Sequence, residues 1–138
     1  MSGVDYDVIV VGGGSGGLAA AFRAAAHGAS VAMLEPAAIG GTCVNVGCVP
    51  KKVMWHAAEL AGQIAKAHHL GFDVARTPEL SWPTLLERRG RYIANIHASY
   101  ERRLVEQGIT RIAQAGRLVA ADTVECADGT RLRARHIV

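Results

Sequence analysis

The run Gly12-Gly13-Gly14-Ser15-Gly16-Gly17 constrains the fold more than any other part of this chain. It follows directly on residues 6–11, a short β-branched apolar stretch that reads as a buried strand. It leads directly into residues 18–27, an alanine-rich stretch that reads as a helix closed by Gly28. A second strand is expected over residues 30–34, ending at Glu35 and stopped by Pro36. Strand, helix and strand packed into about 30 residues form a unit whose two parallel strands need a right-handed crossover. The expected class is therefore α/β, a Rossmann-like three-layer fold on a parallel sheet, with a small β hairpin or meander at the C-terminal end.

Within that unit Gly12, Gly14 and Gly17 spell G-x-G-x-x-G at the strand-to-helix junction. The first glycine permits the tight turn, the second lets the backbone approach a pyrophosphate, and the third lets helix and strand pack closely. Backbone N–H groups of the loop, including those of Ser15 and Gly16, then face a ligand at a helix N-terminus whose dipole favours negative charge. A tight turn with no ligand would show the same glycines. Glu35 adds the second half of the fingerprint, because it ends the next strand about 20 residues on, where a carboxylate accepts hydrogen bonds from a ribose 2′-hydroxyl. The acid favours a ribose over a 2′-phosphate, so FAD or NAD is expected here rather than NADP, and the loop does not choose between the two.

Cys43 and Cys48 lie five residues apart in Gly40-Gly41-Thr42-Cys43-Val44-Asn45-Val46-Gly47-Cys48-Val49-Pro50-Lys51-Lys52. In an unbroken helix that spacing is about 7.5 Å along the axis, more than the roughly 4.4–6.8 Å between the Cα atoms of a disulfide. A bridge would require the first turn to be distorted, which Asn45, Gly47 and Pro50 permit. A helix N-terminus and the nearby Lys51 and Lys52 would stabilise a thiolate, the reactive form. A redox-active dithiol is the favoured reading, beside two incidental thiols or half of a zinc site. Zinc normally takes four ligands, and no second Cys/His pair of suitable spacing follows. His68-His69 read as solvated, and Cys126 as a structural residue of a hairpin strand.

Thr42 is placed to cap a long helical pattern carrying Val49, Val53, Leu60 and Ile64 on one stripe. Residues 68–83 read as a connection. A second long helix is expected from Ser81 to about Gln107, with Leu86, Ile93, Ile96, Tyr100 and Leu104 as its buried face. Residues 109–120 read as a strand region, and Asp128-Gly129 as the turn between strands at 124–126 and 132–138. The length of 138 residues suits one domain, with half of it hydrophobic and a fifth charged. The net charge of +3 arises after residue 69 and is too diffuse for a nucleic-acid platform. No apolar run is long enough for a membrane span, and Asp5 and Asp7 stand where a signal segment would be apolar, so a cytoplasmic protein is expected. The closing Arg135-His136-Ile137-Val138 reads as a strand being entered, which makes a fragment of a longer chain the expectation.

The glycine loop with Glu35, and the motif from Gly40 to Lys52, resemble the N-terminal FAD-binding segment of the pyridine nucleotide–disulfide oxidoreductases. The continuation Lys51-Lys52-Val53-Met54-Trp55 is most similar to the members that reduce glutathione disulfide, whereas dihydrolipoamide- and mercury-specific members typically carry Ser where Lys51 stands. The likeness extends through Ser99-Tyr100-Glu101 to His136-Ile137-Val138. It implies that Cys43 is the interchange thiol attacking glutathione disulfide, and that Cys48 faces the flavin as its charge-transfer thiolate. Lys51 would lie near flavin N5, Glu35 and Thr42 would hold the FAD, and the backbone near Ala115 and Gly116 would approach the adenine. Ser15 and Tyr100 fall where the family touches glutathione, although Tyr100 also suits plain core packing. Phe22 departs from the Arg of animal glutathione-specific members towards the aromatic residue of trypanothione-specific ones, while Ala19 replaces the Glu that the latter use to meet a cationic substrate.

On this resemblance residues 1–138 are the N-terminal part of an FAD-binding domain. The NADPH-binding domain, the dimerisation domain with its His-Glu pair, and the Ala-Thr-Gly segment that completes the FAD site are absent. The full-length protein would be a homodimer moving electrons from NADPH through FAD and the cysteine pair to glutathione disulfide. The rival from another class is a non-catalytic flavin-binding or redox-sensing module.

Overall fold

Alternation of side chains along two short strands divides the protein into two hydrophobic clusters. β1 (Tyr6–Val11) and β2 (Val31–Leu34) lie side by side in parallel, with Val8 opposite Val31 and Val11 opposite Leu34. Because successive side chains point to opposite faces, Val10, Val31 and Met33 meet one cluster, and Ile9, Ala32 and Leu34 meet the other. The first cluster is covered by helices. Leu18, Ala21 and Phe22 of α1 (Ser15–Ala26) pack there at helical spacing, with Leu104 of α4 (Trp82–Glu106) and Ile109 beyond it. The second is covered by a β meander, which contributes Val124, Cys126 and Ala134.

The structure is a computed structural model that describes residues 4–74 and 79–138. The signal-segment reading of residues 1–3, and the part of the 68–83 connection at 75–78, lie outside the described residues. The six strands are ordered β3-β2-β1-β6-β5-β4. β3 (Thr110–Ile112), β2, β1 and β6 (Arg131–Ile137) run parallel, whereas β4 (Gly116–Ala120), β5 (Thr123–Cys126) and β6 pair antiparallel. The sheet is thus mixed, and β6 belongs to both halves. Its first residues pair with β5 through Leu132 and Val124, and its last pair with β1 through His136 and Val8. The Asp128-Gly129 turn forms as expected, with Gly129 at positive φ.

Between β2 and β3 lie α2 (Gly41–Asn45), α3 (Cys48–Lys66), a short 3-10 turn at Ala67–Leu70, and α4. The expected single helix after Thr42 is two. Thr42 does not cap it, because the chain turns helical earlier: Gly40 and Gly41 adopt positive φ and start α2 with no side-chain cap. On α3, Val49, Val53 and Ile64 are half-buried but Leu60 is exposed. Ser81 does cap α4, its hydroxyl accepting from the Thr84 N–H, and Pro83 occupies the first turn, where its missing donor is harmless. The stripe of α4 begins at Leu85 rather than Leu86, which is exposed; Ile93, Ile96 and Tyr100 are half-buried and Leu104 is buried. The last turns of α4 reach the sheet core, where Tyr100 and Leu104 join the first cluster, and the helix also packs against α3.

Candidate functional site

The carboxyl ends of the parallel strands carry the sequence motifs, the edge at which open α/β sheets bind ligands. Gly12 follows β1 with φ at +112°, the left-handed region where glycine carries no Cβ penalty. Gly17 is the close-packing glycine: a Cβ there would sit 3.1 Å from Val10 Cγ1 and far inside contact with the Gly12 carbonyl oxygen. Gly13, which the fingerprint leaves unspecified, is equally constrained, since a Cβ would meet Glu35 Cγ at 2.9 Å. Gly14 backs onto Gly41, whose own Cβ would fall 2.8 Å from Gly14 Cα. The glycine loop therefore docks directly on the start of α2, held by the Gly40 N–H donating to the Gly13 carbonyl at 2.8 Å.

Glu35 is tied to that loop. One carboxylate oxygen accepts from the Gly13 N–H and the other from the Ala37 N–H, both at 2.8 Å. A carboxylate offers about four acceptor positions, so the acid braces the loop and retains capacity for a ribose hydroxyl. The start of α1 suits a diphosphate by its donors and by its space. Gly14 gives it no side-chain cap, no acid lies in its first turn, and a Cβ at Gly16 would meet nothing within 4 Å. Gly116 sits against the Leu34 side chain at the end of β2, and with Ala115 it borders a shallow cavity of about 260 Å³ also lined by Glu125 and Cys126. The loop, Glu35 and Ala115-Gly116 thus share one edge of the sheet.

The cysteine pair explains why the helix after Gly40 is broken. α2 ends at Asn45 and α3 begins at Cys48, with Gly47 folded so tightly between them that a Cβ would lie 2.8 Å from the Thr42 carbonyl oxygen. That break removes the axial separation of a continuous helix, and each thiol shifts the ionisation of the other. Both are free. The neighbouring Cys43 side chain, the backbone N–H of Cys48 itself, and the charges of Lys51 and Lys52 pull the Cys48 thiol below its ordinary pKa. The neighbouring Cys48 pushes the Cys43 thiol upward, as does burial, opposed by the nearby Ser15 side chain. Cys48 is therefore the first of the pair to ionise.

Asn45, absent from the sequence candidates except as a helix distorter, anchors this turn. Its amide donates to the Ala38 carbonyl at 3.0 Å, and its side-chain oxygen lies 2.6 Å from His97 Nε2 on α4. A partner 52 residues away leaves no local signal. Thr42 and Lys51 are exposed beside the dithiol. Tyr100 is separate from it, packed on the first core cluster and stacked on Phe22 with ring centroids 6.4 Å apart. Cys126 is buried, and burial raises its thiol pKa, in keeping with a structural role. His68 and His69 are exposed. Among the described residues no helix is long and apolar enough to cross a membrane.

A glycine-looped βαβ unit that presents a paired dithiol beside its loop defines a disulfide oxidoreductase class of domain. Residues 6–138 match the family described as pyridine nucleotide-disulphide oxidoreductase, and the chain belongs to that family. It is similar to the glutathione reductases of Yarrowia lipolytica (48% identical over 107 residues, 75% of this chain and 23% of the relative), Schizosaccharomyces pombe (44% over 109 residues, 78% and 24%) and Debaryomyces hansenii (45% over 116 residues, 78% and 23%). The chain spans about a quarter of the length of these relatives.

Proposed function

We propose that these 138 residues are the N-terminal, FAD-binding part of a glutathione reductase, acting as an NADPH-dependent homodimer in the cytoplasm. The observation that carries the reading is the broken helix that joins Cys43 and Cys48 beside a glycine loop braced by Glu35. Its length relative to the similar reductases supports NADPH-binding and dimerisation domains outside these residues. FAD, when bound, would accept hydride from NADPH and return two electrons to the cysteine pair.

In this reading the loop N–H groups around Gly14, Ser15, Gly16 and Gly17 hold the diphosphate, Glu35 and Thr42 hold the ribose side, and Ala115 and Gly116 border the adenine. Lys51 supplies positive charge near the flavin ring. The reduced pair then works by exchange. Cys43, as thiolate, attacks one sulfur of glutathione disulfide; the S–S bond breaks and the first glutathione leaves as a thiolate that takes up a proton. Cys48 thiolate next attacks the Cys43 sulfur, releasing the second glutathione and leaving a Cys43–Cys48 disulfide that two electrons restore. Because Cys48 raises the Cys43 pKa, Cys43 needs a base to take its proton, and the Ser15 hydroxyl helps only by stabilising the thiolate. Ser15 and Tyr100 are the substrate contacts. Phe22 is only 6% exposed and lies beneath Arg103, so an aromatic surface suited to trypanothione is not offered, and glutathione is preferred.

The test uses the full-length protein. It should reduce glutathione disulfide with NADPH, and after two-electron reduction it should show a long-wavelength absorbance band that Cys48→Ser abolishes. A band that persists in the variant refutes the assignment of Cys48. Bound flavin without any NADPH-dependent disulfide reduction supports the non-catalytic module instead.

A further inference from the structure

The turn that aims the Glu35 carboxylate is not held by burial. Glu35 is half-buried, and Pro36, Ala37 and Ala38 beyond it are exposed. A glutamate side chain has several rotamers to lose, so the direction of this carboxylate is set by whatever fixes the two N–H groups it accepts from. One is that of Gly13, in the loop packed against β1; the other is that of Ala37, in the exposed turn.

Arg111 of β3 holds the turn. β3 lies parallel to β2, and the Ile112 carbonyl accepts from the Glu35 N–H at 3.0 Å. One residue earlier, the Arg111 side chain donates from Nη2 to the Ala37 carbonyl at 3.0 Å, while Nη1 pairs with Glu101 on α4. Ala37 is thus held at both backbone groups, its N–H by Glu35 and its carbonyl by Arg111. Glu101 stands one helical turn beyond His97, whose partner Asn45 donates to the next carbonyl, that of Ala38. Through two side chains from other elements, α4 therefore fixes two consecutive carbonyls of the turn. Arg111 Nε is buried and has no hydrogen-bond partner among the described residues. A buried donor left unpaired costs stability, so what this arginine contributes is the pair of contacts at its outer nitrogens.

We propose that Arg111 is a positioning residue for the flavin adenosine: anchored by Glu101, it fixes the Ala37 turn so that the Glu35 carboxylate meets the ribose 2′-hydroxyl. It acts on the acid through the Ala37 backbone. The proposal rests on FAD being the cofactor. A cation near a diphosphate would also attract it without positioning anything, and the experiment separates the two effects.

Full-length protein stripped of flavin is titrated with FAD and with its 2′-deoxyadenosine analogue, followed by flavin fluorescence. Wild-type protein should prefer FAD by about tenfold, the worth of one charge-assisted hydrogen bond. Arg111→Met should weaken FAD by about that factor and leave the 2′-deoxy analogue unchanged, because that ligand lacks the hydroxyl. Arg111→Lys should recover part of the loss. Glu101→Gln should weaken FAD about threefold, the worth of an exposed ion pair, with no further loss when combined with Arg111→Met. Attraction by charge alone predicts the opposite sign, since removing an acid tightens an anionic ligand. Equal losses on FAD and the 2′-deoxy analogue overturn the proposal, as does a wild-type protein that does not distinguish them. Unchanged or tighter FAD binding in Glu101→Gln overturns it too, and decides the matter if Arg111→Met does not fold. Wild-type protein that binds no FAD refutes the functional reading instead.

Discussion

Gly16 and Gly17 are neighbours in the same helix and should respond oppositely to alanine. Both belong to α1 and both lie in the loop fingerprint. At Gly16 the added Cβ meets nothing within 4 Å, so the only protein term is the lower backbone entropy of the unfolded chain, which favours alanine in a helix by about 0.5–1 kcal/mol. At Gly17 the Cβ lands on the Gly12 carbonyl oxygen, with the Gly12 carbonyl carbon and Val10 Cγ1 both at 3.1 Å. Neither neighbour can yield alone: Val10 is fully buried, and Gly12 donates its N–H to the Leu34 carbonyl at 2.8 Å. The helix must lift from β1, at the top of the overpacking range, about 3 kcal/mol. Urea unfolding followed by circular dichroism gives both values directly, as shifts in midpoint at constant slope. Gly16→Ala should be neutral to stabilising by up to about 1 kcal/mol, while Gly17→Ala loses about 3 kcal/mol. Equal destabilisation by the two would refute the packing argument. A flavin titration adds a second reading, because Gly16→Ala that folds well yet binds FAD weakly places the diphosphate against Gly16.

Leu104→Ala, which empties a side chain only 1% exposed where α4 meets the sheet, should cost about 2–5 kcal/mol in the same unfolding assay; a loss under 1 kcal/mol would mean that α4 is not held there. Asn45→Ala removes both the Ala38 and His97 contacts and should lower stability by about 1–3 kcal/mol, with slower thiol exchange at Cys43 measured by mixed-disulfide formation. The lowered Cys48 pKa predicts a pH profile with a definite sign. Its thiolate, and whatever stability that thiolate confers, is present above the pKa of an unfolded cysteine and is lost only as pH falls through the lower folded value. Alkylation of the reduced protein should accordingly begin at a lower pH than in free cysteine, and Cys43→Ala, which deletes the neighbouring thiol, should move the profile upward; an unmoved profile would assign the shift to the lysines alone.

Much of the glycine-loop unit was legible because its signals are local. β1 follows the predicted bounds, Gly12 has the positive φ that its turn demands, Gly17 packs helix on strand, and Ser81 caps α4. These depend on backbone dihedrals and neighbours within a turn or two, which the chain writes in adjacent residues. The buried side of α4 starts one residue before the one that apolar spacing predicts, since Leu85 and Leu86 are equally apolar and only tertiary packing distinguishes them. Thr42 resembled a cap because the helix start was placed too late. The earlier start depends on Gly40 and Gly41 docking against Gly13 and Gly14, nearly 30 residues upstream.

The sequence by itself determined that the chain contains a βαβ unit with a phosphate-type loop, an acid at the second strand end and a close cysteine pair. Tertiary structure decided how these become one site. It broke the helix at Gly47 so that Cys43 and Cys48 meet, drew Glu35 back onto Gly13, passed β6 alongside β1, and set Arg103 over Phe22 from 81 residues away. The physical reason is the range of the forces involved. Turn chemistry and helix periodicity act within a few residues, whereas pairing across 22 to 128 residues is chosen by burial and hydrogen-bond satisfaction of the whole chain at once.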